Sequence, residues 1–196
     1  MYDRYGNKIS KLKLFSFILG CCLILLSGCQ ASSPPTGITA KVQRVVSGQT
    51  LEVLIPSEAP WIQQVRLLGI SAPDLKQEPW GRAAKNRLRE LVSGQKEGDL
   101  VLQSVLLELG QPDRDQFGRL LAYVWHDRVL INEQLVAQGY VLADEGTSLN
   151  NRSKYRQRLN RAQEYARLMG YGIWDPKKPI RLTPKEFRSK NSSRDK

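Results

Sequence analysis

The chain has little that could oxidise. Its three cysteines, Cys21, Cys22 and Cys29, all fall near the N-terminus, so everything after Cys29 carries no thiol, no disulfide framework and no cysteine metal site. There is a single histidine, His126, which excludes a histidine metal cluster. It sits in His126-Asp127, read as an exposed hairpin turn. No internal repeat is found, which excludes solenoids and propellers. The longest apolar run, residues 14–26, is 13 residues against the roughly 20 that a membrane-spanning helix needs. Acidic charge is scarce too, with 19 Asp and Glu facing 30 Lys and Arg for a formal charge of +11. That balance favours polyanions such as nucleic acid, anionic lipid or acidic polysaccharide without choosing among them.

What is there begins with an address. Arg4, Lys8, Lys11 and Lys13 precede the apolar run, and the run ends in Leu26-Ser27-Gly28-Cys29. A charged stretch, a short apolar stretch and small residues before a cysteine resemble a bacterial lipoprotein signal, with residues 1–28 removed and Cys29 lipidated. The chain is thus expected to be exported and held by lipid on the extracytoplasmic side of a bacterial membrane. Cleavage leaves 26 basic and 18 acidic side chains, a formal +8. Residues 29–37, with Ser32, Ser33, Pro34, Pro35 and Gly37, read as a tether. One domain, residues 38–175, follows, and residues 176–196 read as a basic mobile tail with little periodicity.

Within the domain, strands are expected at 38–46, 50–55 and 62–70, with Ser47-Gly48 as the first turn. A helix follows at 79–92, with Ala84, Leu88, Leu91 and Val92 on one face. Strands at 100–109 and 119–125 flank a polar turn at 111–118, and helices are expected at 129–138 and 152–169. In the last helix Tyr155, Leu159, Ala162, Ala166 and Met169 form an apolar stripe, and Lys154, Arg156, Arg158 and Arg161 form a solvated basic face. Three strands, a helix, two strands and two helices give an α+β fold, a five-stranded OB-type β-barrel with about three helices. A monomer is expected.

Several stretches together resemble the staphylococcal nuclease (thermonuclease) family: Arg44-Val45-Val46-Ser47-Gly48-Gln49-Thr50-Leu51, Val65-Arg66-Leu67-Leu68-Gly69-Ile70, Pro79-Trp80-Gly81, Asp115-Gln116-Phe117-Gly118-Arg119-Leu120, Leu135-Val136-Ala137-Gln138-Gly139-Tyr140 and Gly172-Ile173-Trp174. They run in order over residues 38–174. The resemblance implies hydrolysis of DNA and RNA phosphodiesters by an endonuclease that uses calcium, two arginines and a glutamate. Negative charge builds on the phosphoryl oxygens during attack, so cations must face it while a carboxylate assists the water. Arg66 and Arg119 match the two arginines, and each can fork two N–H donors onto phosphate. Asp74, beside Pro73, stands at the glutamate's position and is one methylene shorter, and it reads equally as a turn aspartate next to proline.

The sequence departs from the family where calcium is held. The family's aspartate in the first hairpin is Gln49 here, and its aspartate and threonine before the Pro-Glu pair are Ser71 and Ala72. Calcium takes six to eight oxygens and draws affinity from ligand charge, so Gln49, Ser71 and waters would bind it at roughly millimolar or weaker. Phe117 replaces a tyrosine and keeps a ring for stacking on substrate, and Asp144 and Glu145 would repel phosphate. Asp113 and Asp115, in the loop before Arg119, read by default as solvated loop residues, with orienting Arg119 or binding an ion as the alternatives. Three functional classes follow: a nuclease with an altered metal site, a nucleic-acid or polyanion binder without catalysis, and a protein-interaction lipoprotein. Whether the chain is an enzyme stays open on sequence alone.

Overall fold

A computed structural model describes residues 35–56, 61–96, 99–144 and 154–193. The signal segment 1–28, Cys29, most of the tether, Glu145 and Arg152 lie outside the described residues.

The first strand, β1 (Ile38–Ser47), alternates exposed lysine and glutamine with buried Ala40 and Val42, and its far end tucks Val45 into the same core. Two register shifts against β2 (Thr50–Leu54), between Val42 and Arg44 and between Val45 and Ser47, let this long strand bend. β2 pairs with β3 (Gln63–Leu67), and β1 pairs on its other side with β7 (Ser104–Arg114). β7 pairs with β8 (Leu120–His126), and β8 closes the ring by running parallel to β3. Closure leaves these five strands without a free edge. The interior is filled by Leu51, Val53, Val65, Leu67, Val105, Leu107, Ala122 and Val124, each at 2% exposure or less.

Short pairs decorate the barrel: β4 (Ile70–Ser71) with β10 (Leu142–Ala143), β5 (Ser93–Lys96) with β6 (Asp99–Leu102), and β9 (Val129–Leu130) on β8. The expected strands at 62–70 and 100–109 are therefore each divided, at Leu68-Gly69 and at Gln103.

Helix α1 (Trp80–Leu91) buries Gly81, Ala84 and Leu88. Its approach depends on two glycines. A Cβ on Gly48 would lie 2.6 Å from the Ala84 Cβ, and one on Gly81 would lie 1.9 Å from the Asp74 carbonyl oxygen. The first hairpin and the turn after Pro73 are thereby both pressed against this helix.

Helix α2 (Ile131–Ala137) begins two residues later than expected because Val129 and Leu130 pair with β8. Helix α3 (Arg156–Met169) buries Leu159, Ala162, Gln163 and Ala166, whereas Met169 is half exposed and is not part of the apolar stripe. The basic face expected over 152–169 is only partly a solvated one, and Lys154 lies before the helix begins. Arg158 pairs with Glu133 at 2.5 Å and lies over the Trp125 ring, and Lys154 pairs with Glu108 at 2.9 Å.

Two expectations are corrected. His126 is not an exposed turn residue; its side chain is 15% exposed and its Nδ1 lies 2.9 Å from the Leu91 carbonyl oxygen. Asp127 and Arg128, both at positive φ, make the turn instead. The tail, read as aperiodic, contains helix α4 (Pro184–Ser192). Thr183 accepts from the Glu186 N–H while the Glu186 carboxylate accepts from the Thr183 N–H, and Pro184 occupies the first turn. The tail is also tied to the body: Gln77 Nε2 donates to the Leu182 carbonyl at 2.6 Å.

Candidate active site

Barrel closure creates the site. In the β3–β8 register Arg66 lies opposite Leu121, two residues beyond Arg119, which immediately precedes β8. Both arginines line one cavity of about 220 Å³, together with Gly69, Gln111, Asp115 and Asp144.

Arg66 donates through Nη1 to the Leu67 carbonyl and through Nη2 to the Ile70 carbonyl at 2.6 Å. Two of its five N–H groups are used this way, so the planar head is fixed with donors to spare. Burial lowers its pKa to about 10, helped by the neighbouring charge of Arg119, and it remains a cation at neutral pH.

Arg119 is held by Asp115. Its Nε and Nη2 both donate to Asp115 Oδ2, at 2.8 and 2.7 Å, while Asp115 Oδ1 accepts from the backbone N–H groups of Phe117 and Arg119. Burial works against the Asp115 carboxylate, but the bonds from the Arg119 side chain and the two backbone N–H groups outweigh it and hold its pKa below the usual aspartate range. Of the roles open to it in the sequence, Asp115 takes that of orienting Arg119 rather than simple loop solvation; Asp113 is exposed in β7. Phe117 is 73% exposed, with the Arg119 guanidinium 5.4 Å from its ring centre, so Arg119 has an exposed aromatic ring beside it.

Asp74 is not brought to the cavity lining. Its Oδ1 accepts from the Lys76 N–H at 2.9 Å and its carbonyl from the Gln77 N–H at 2.8 Å, so its side chain closes a turn. Asp144, expected to oppose phosphate, does line the cavity.

The calcium positions carry other bonds. Gln49 Oε1 accepts from the Ala72 N–H at 2.6 Å, fixing the first hairpin to the segment before Pro73. Ser71 Oγ accepts from Arg188 Nη2 at 3.2 Å, and the Ala72 carbonyl faces Arg188 Nη1 at 3.4 Å. Calcium ligands must turn oxygen toward the ion and bring negative charge. Here the side-chain oxygen of Gln49 is turned to an N–H, and the oxygens of Ser71 and Ala72 sit beside a guanidinium. The donor set does not fit calcium. Among the described residues, no group of three or more His, Cys, Asp or Glu is placed to hold a metal ion.

The sequence reading missed Arg188. Thr183-Pro184-Lys185-Glu186 was the available signal for the helix that carries it, but nothing local announces where that helix docks.

Comparison with known proteins agrees with the barrel. Residues 64–176 match the family described as staphylococcal nuclease homologue, and the chain belongs to that family. It is 28% identical over 141 residues to a thermonuclease of Staphylococcus hyicus, covering 69% of this chain and 75% of that one. It is 28% identical over 151 residues to a thermonuclease of Staphylococcus intermedius, covering 74% and 82%. A Haemophilus influenzae protein described as an uncharacterized endonuclease is 30% identical over 178 residues, covering 91% and 85%.

Proposed function

We propose that the chain is a nuclease-like protein whose ligand is the phosphodiester backbone of nucleic acid. The observation that carries this reading is the convergence of Arg66 and Arg119 on one cavity beside an exposed aromatic ring. Each guanidinium is aimed by oxygen partners on one edge and keeps donors for phosphate oxygens. Because both are fixed before the ligand arrives, they face developing charge without reorganisation. An arginine placed in this way is worth on the order of a thousandfold in rate.

The carboxylate role falls to Asp74, which must give up its bond to the Lys76 N–H to activate a water. Its shorter side chain and its position outside the cavity lining make hydrolysis slow, since a misplacement of about 1 Å costs roughly a hundredfold. No step is assigned to calcium, which this donor set does not hold.

The test is incubation of the full chain with single-stranded and duplex DNA and RNA, with calcium or with EDTA, beside an Arg119→Ala control. Slow cleavage that the control lacks is the expected result. A second reading is supported by the commitment of Asp74 to its turn: a binder of single strands that does not cut them. It calls for salt-dependent affinity with no cleavage above the control. Absence of both cleavage and binding refutes both readings.

Export and lipidation at Cys29 complete the proposal, supported by Leu26-Ser27-Gly28-Cys29. Mass spectrometry of membrane-extracted protein is expected to find a diacylglyceryl group on Cys29, and a Cys29→Ala chain that keeps the same membrane association contradicts it.

A further inference from the structure

The cavity lined by Arg66 and Arg119 is not cationic on its own account. Two guanidiniums face two carboxylates, Asp115 and Asp144, and their formal charges cancel. A phosphodiester carries a negative charge and needs a surplus of positive charge to stay. In the family that surplus comes with calcium, which Gln49, Ser71 and Ala72 are not arranged to hold.

Arg188 is bonded to two of those residues, Ser71 and Ala72, and is not itself part of the cavity lining. Helix α4 brings its guanidinium to Ser71 Oγ and to the Ala72 carbonyl, while Arg66 is anchored two residues earlier on the Ile70 carbonyl. Two arginines from distant parts of the chain are thus fastened to one three-residue stretch. Arg188 is an exposed residue, so its remaining donors meet solvent. Its charge reaches Arg66, where it adds to burial and to Arg119 in lowering the affinity for a proton.

The placement is built rather than incidental. The helix is started by the Thr183–Glu186 box, the segment before it is bonded to Gln77, and Pro184 is buried. The same helix supplies Phe187 to the wall of a neighbouring groove of about 580 Å³ that also presents Lys76, Lys177, Lys178, Arg181 and Trp80. Four cations against one carboxylate, Glu78, with two aromatic rings, suit a run of phosphates with bases between them more than an isolated anion.

We propose that Arg188 is a tethered replacement for the family's metal ion, giving a phosphate-binding site, formed with Arg66 and Arg119, that engages single-stranded nucleic acid without any divalent cation. This rests on the nucleic-acid reading above and adds to it a residue and an independence from metal. It concerns binding, and no bond is made or broken in it.

The experiment measures fluorescence anisotropy of a labelled single-stranded oligonucleotide with the full chain in detergent, over a series of salt concentrations, with calcium or with EDTA. The wild type is expected to bind equally in both. Arg188→Gln is expected to weaken binding about tenfold in both and to reduce the slope of log affinity against log salt by about 0.7, the contribution of one phosphate contact to a single strand. Arg188→Lys, which keeps the charge and loses the fork, is expected to retain that slope with intermediate affinity. Arg161→Gln removes an equal charge from the exposed face of α3 and is expected to change affinity less than about twofold, as diffuse attraction requires.

Wild-type binding that needs calcium, or an Arg188→Gln chain that binds like the wild type, overturns this inference and leaves the nucleic-acid reading standing. An effect of Arg161→Gln as large as that of Arg188→Gln also overturns it, because bulk charge then suffices. No binding to oligonucleotide in any buffer, or binding only to anionic lipid vesicles, overturns both.

Discussion

Replacing Asp115 by asparagine isolates the force that aims Arg119. The substitution keeps an oxygen for the Phe117 and Arg119 backbone N–H groups but turns Oδ2 into an NH2 facing the Arg119 Nε–H and Nη2–H. Two charge-assisted bonds are lost. Such bonds contribute about 1.5 to 3 kcal/mol each when shielded, whereas exposed pairs contribute about 0.2 to 1 kcal/mol. The two side chains are 28% and 17% exposed. An intermediate loss of about 1 to 2 kcal/mol follows for the pair. At about 2 to 4 °C per kcal/mol in a chain of this size, the melting temperature falls by about 2 to 8 °C. The pH dependence carries the sign. Asp115 is more acidic folded than unfolded, so its stabilisation is present above the ordinary aspartate pKa of about 3.9 and is lost as pH falls through the lower folded value. Urea unfolding at a series of pH values is expected to show a wild-type advantage at neutral pH that closes on acidification. An advantage independent of pH, or none at pH 7, refutes the reasoning.

Three further outcomes follow from the geometry. Phe117→Ala removes a 73% exposed ring, so unfolding stability should stay within about 0.5 kcal/mol while oligonucleotide binding weakens by about 1 to 3 kcal/mol per stacked base; the two are read by urea titration and anisotropy. Glu108 accepts from Trp125 Nε1, Tyr155 OH and Lys154 Nζ at 3.1, 2.8 and 2.9 Å. Glu108→Ala strands the two aromatic donors and is expected to cost about 2 to 4 kcal/mol in urea unfolding, with the exposed lysine contributing little. Gln49→Asp, Ser71→Asp and Ala72→Thr restore the family's ligands, and Asp74→Glu its glutamate, yet the carboxylate introduced at position 71 meets Arg188 first. Calorimetry is expected to find clear calcium binding only when Arg188→Gln is added.

Much of this was legible in the sequence because it is local. Alternation and turn residues marked the strands, the helical period marked α1 and α3, and Arg66 and Arg119 lay within motifs long enough to place them. What escaped depended on contacts between distant segments. His126 looks like a turn residue beside Asp127, yet the C-terminal end of α1 covers it through the Leu91 carbonyl. Met169 continues the period of α3 beyond the body it packs on. Asp74 reads equally as a base and as a turn aspartate, and its bond from the Lys76 N–H takes the second. Arg188 lies 117 residues from Ser71, and no periodicity in the tail could pair them.

The central claim is that protein groups, rather than a metal ion, occupy the positions between the first hairpin and Pro73. Isothermal titration of calcium into the wild-type full chain, with and without a short single-stranded DNA, tests it most directly. No saturable binding tighter than about millimolar is expected in either case. Saturation at micromolar calcium that Gln49→Ala and Ser71→Ala abolish would contradict it.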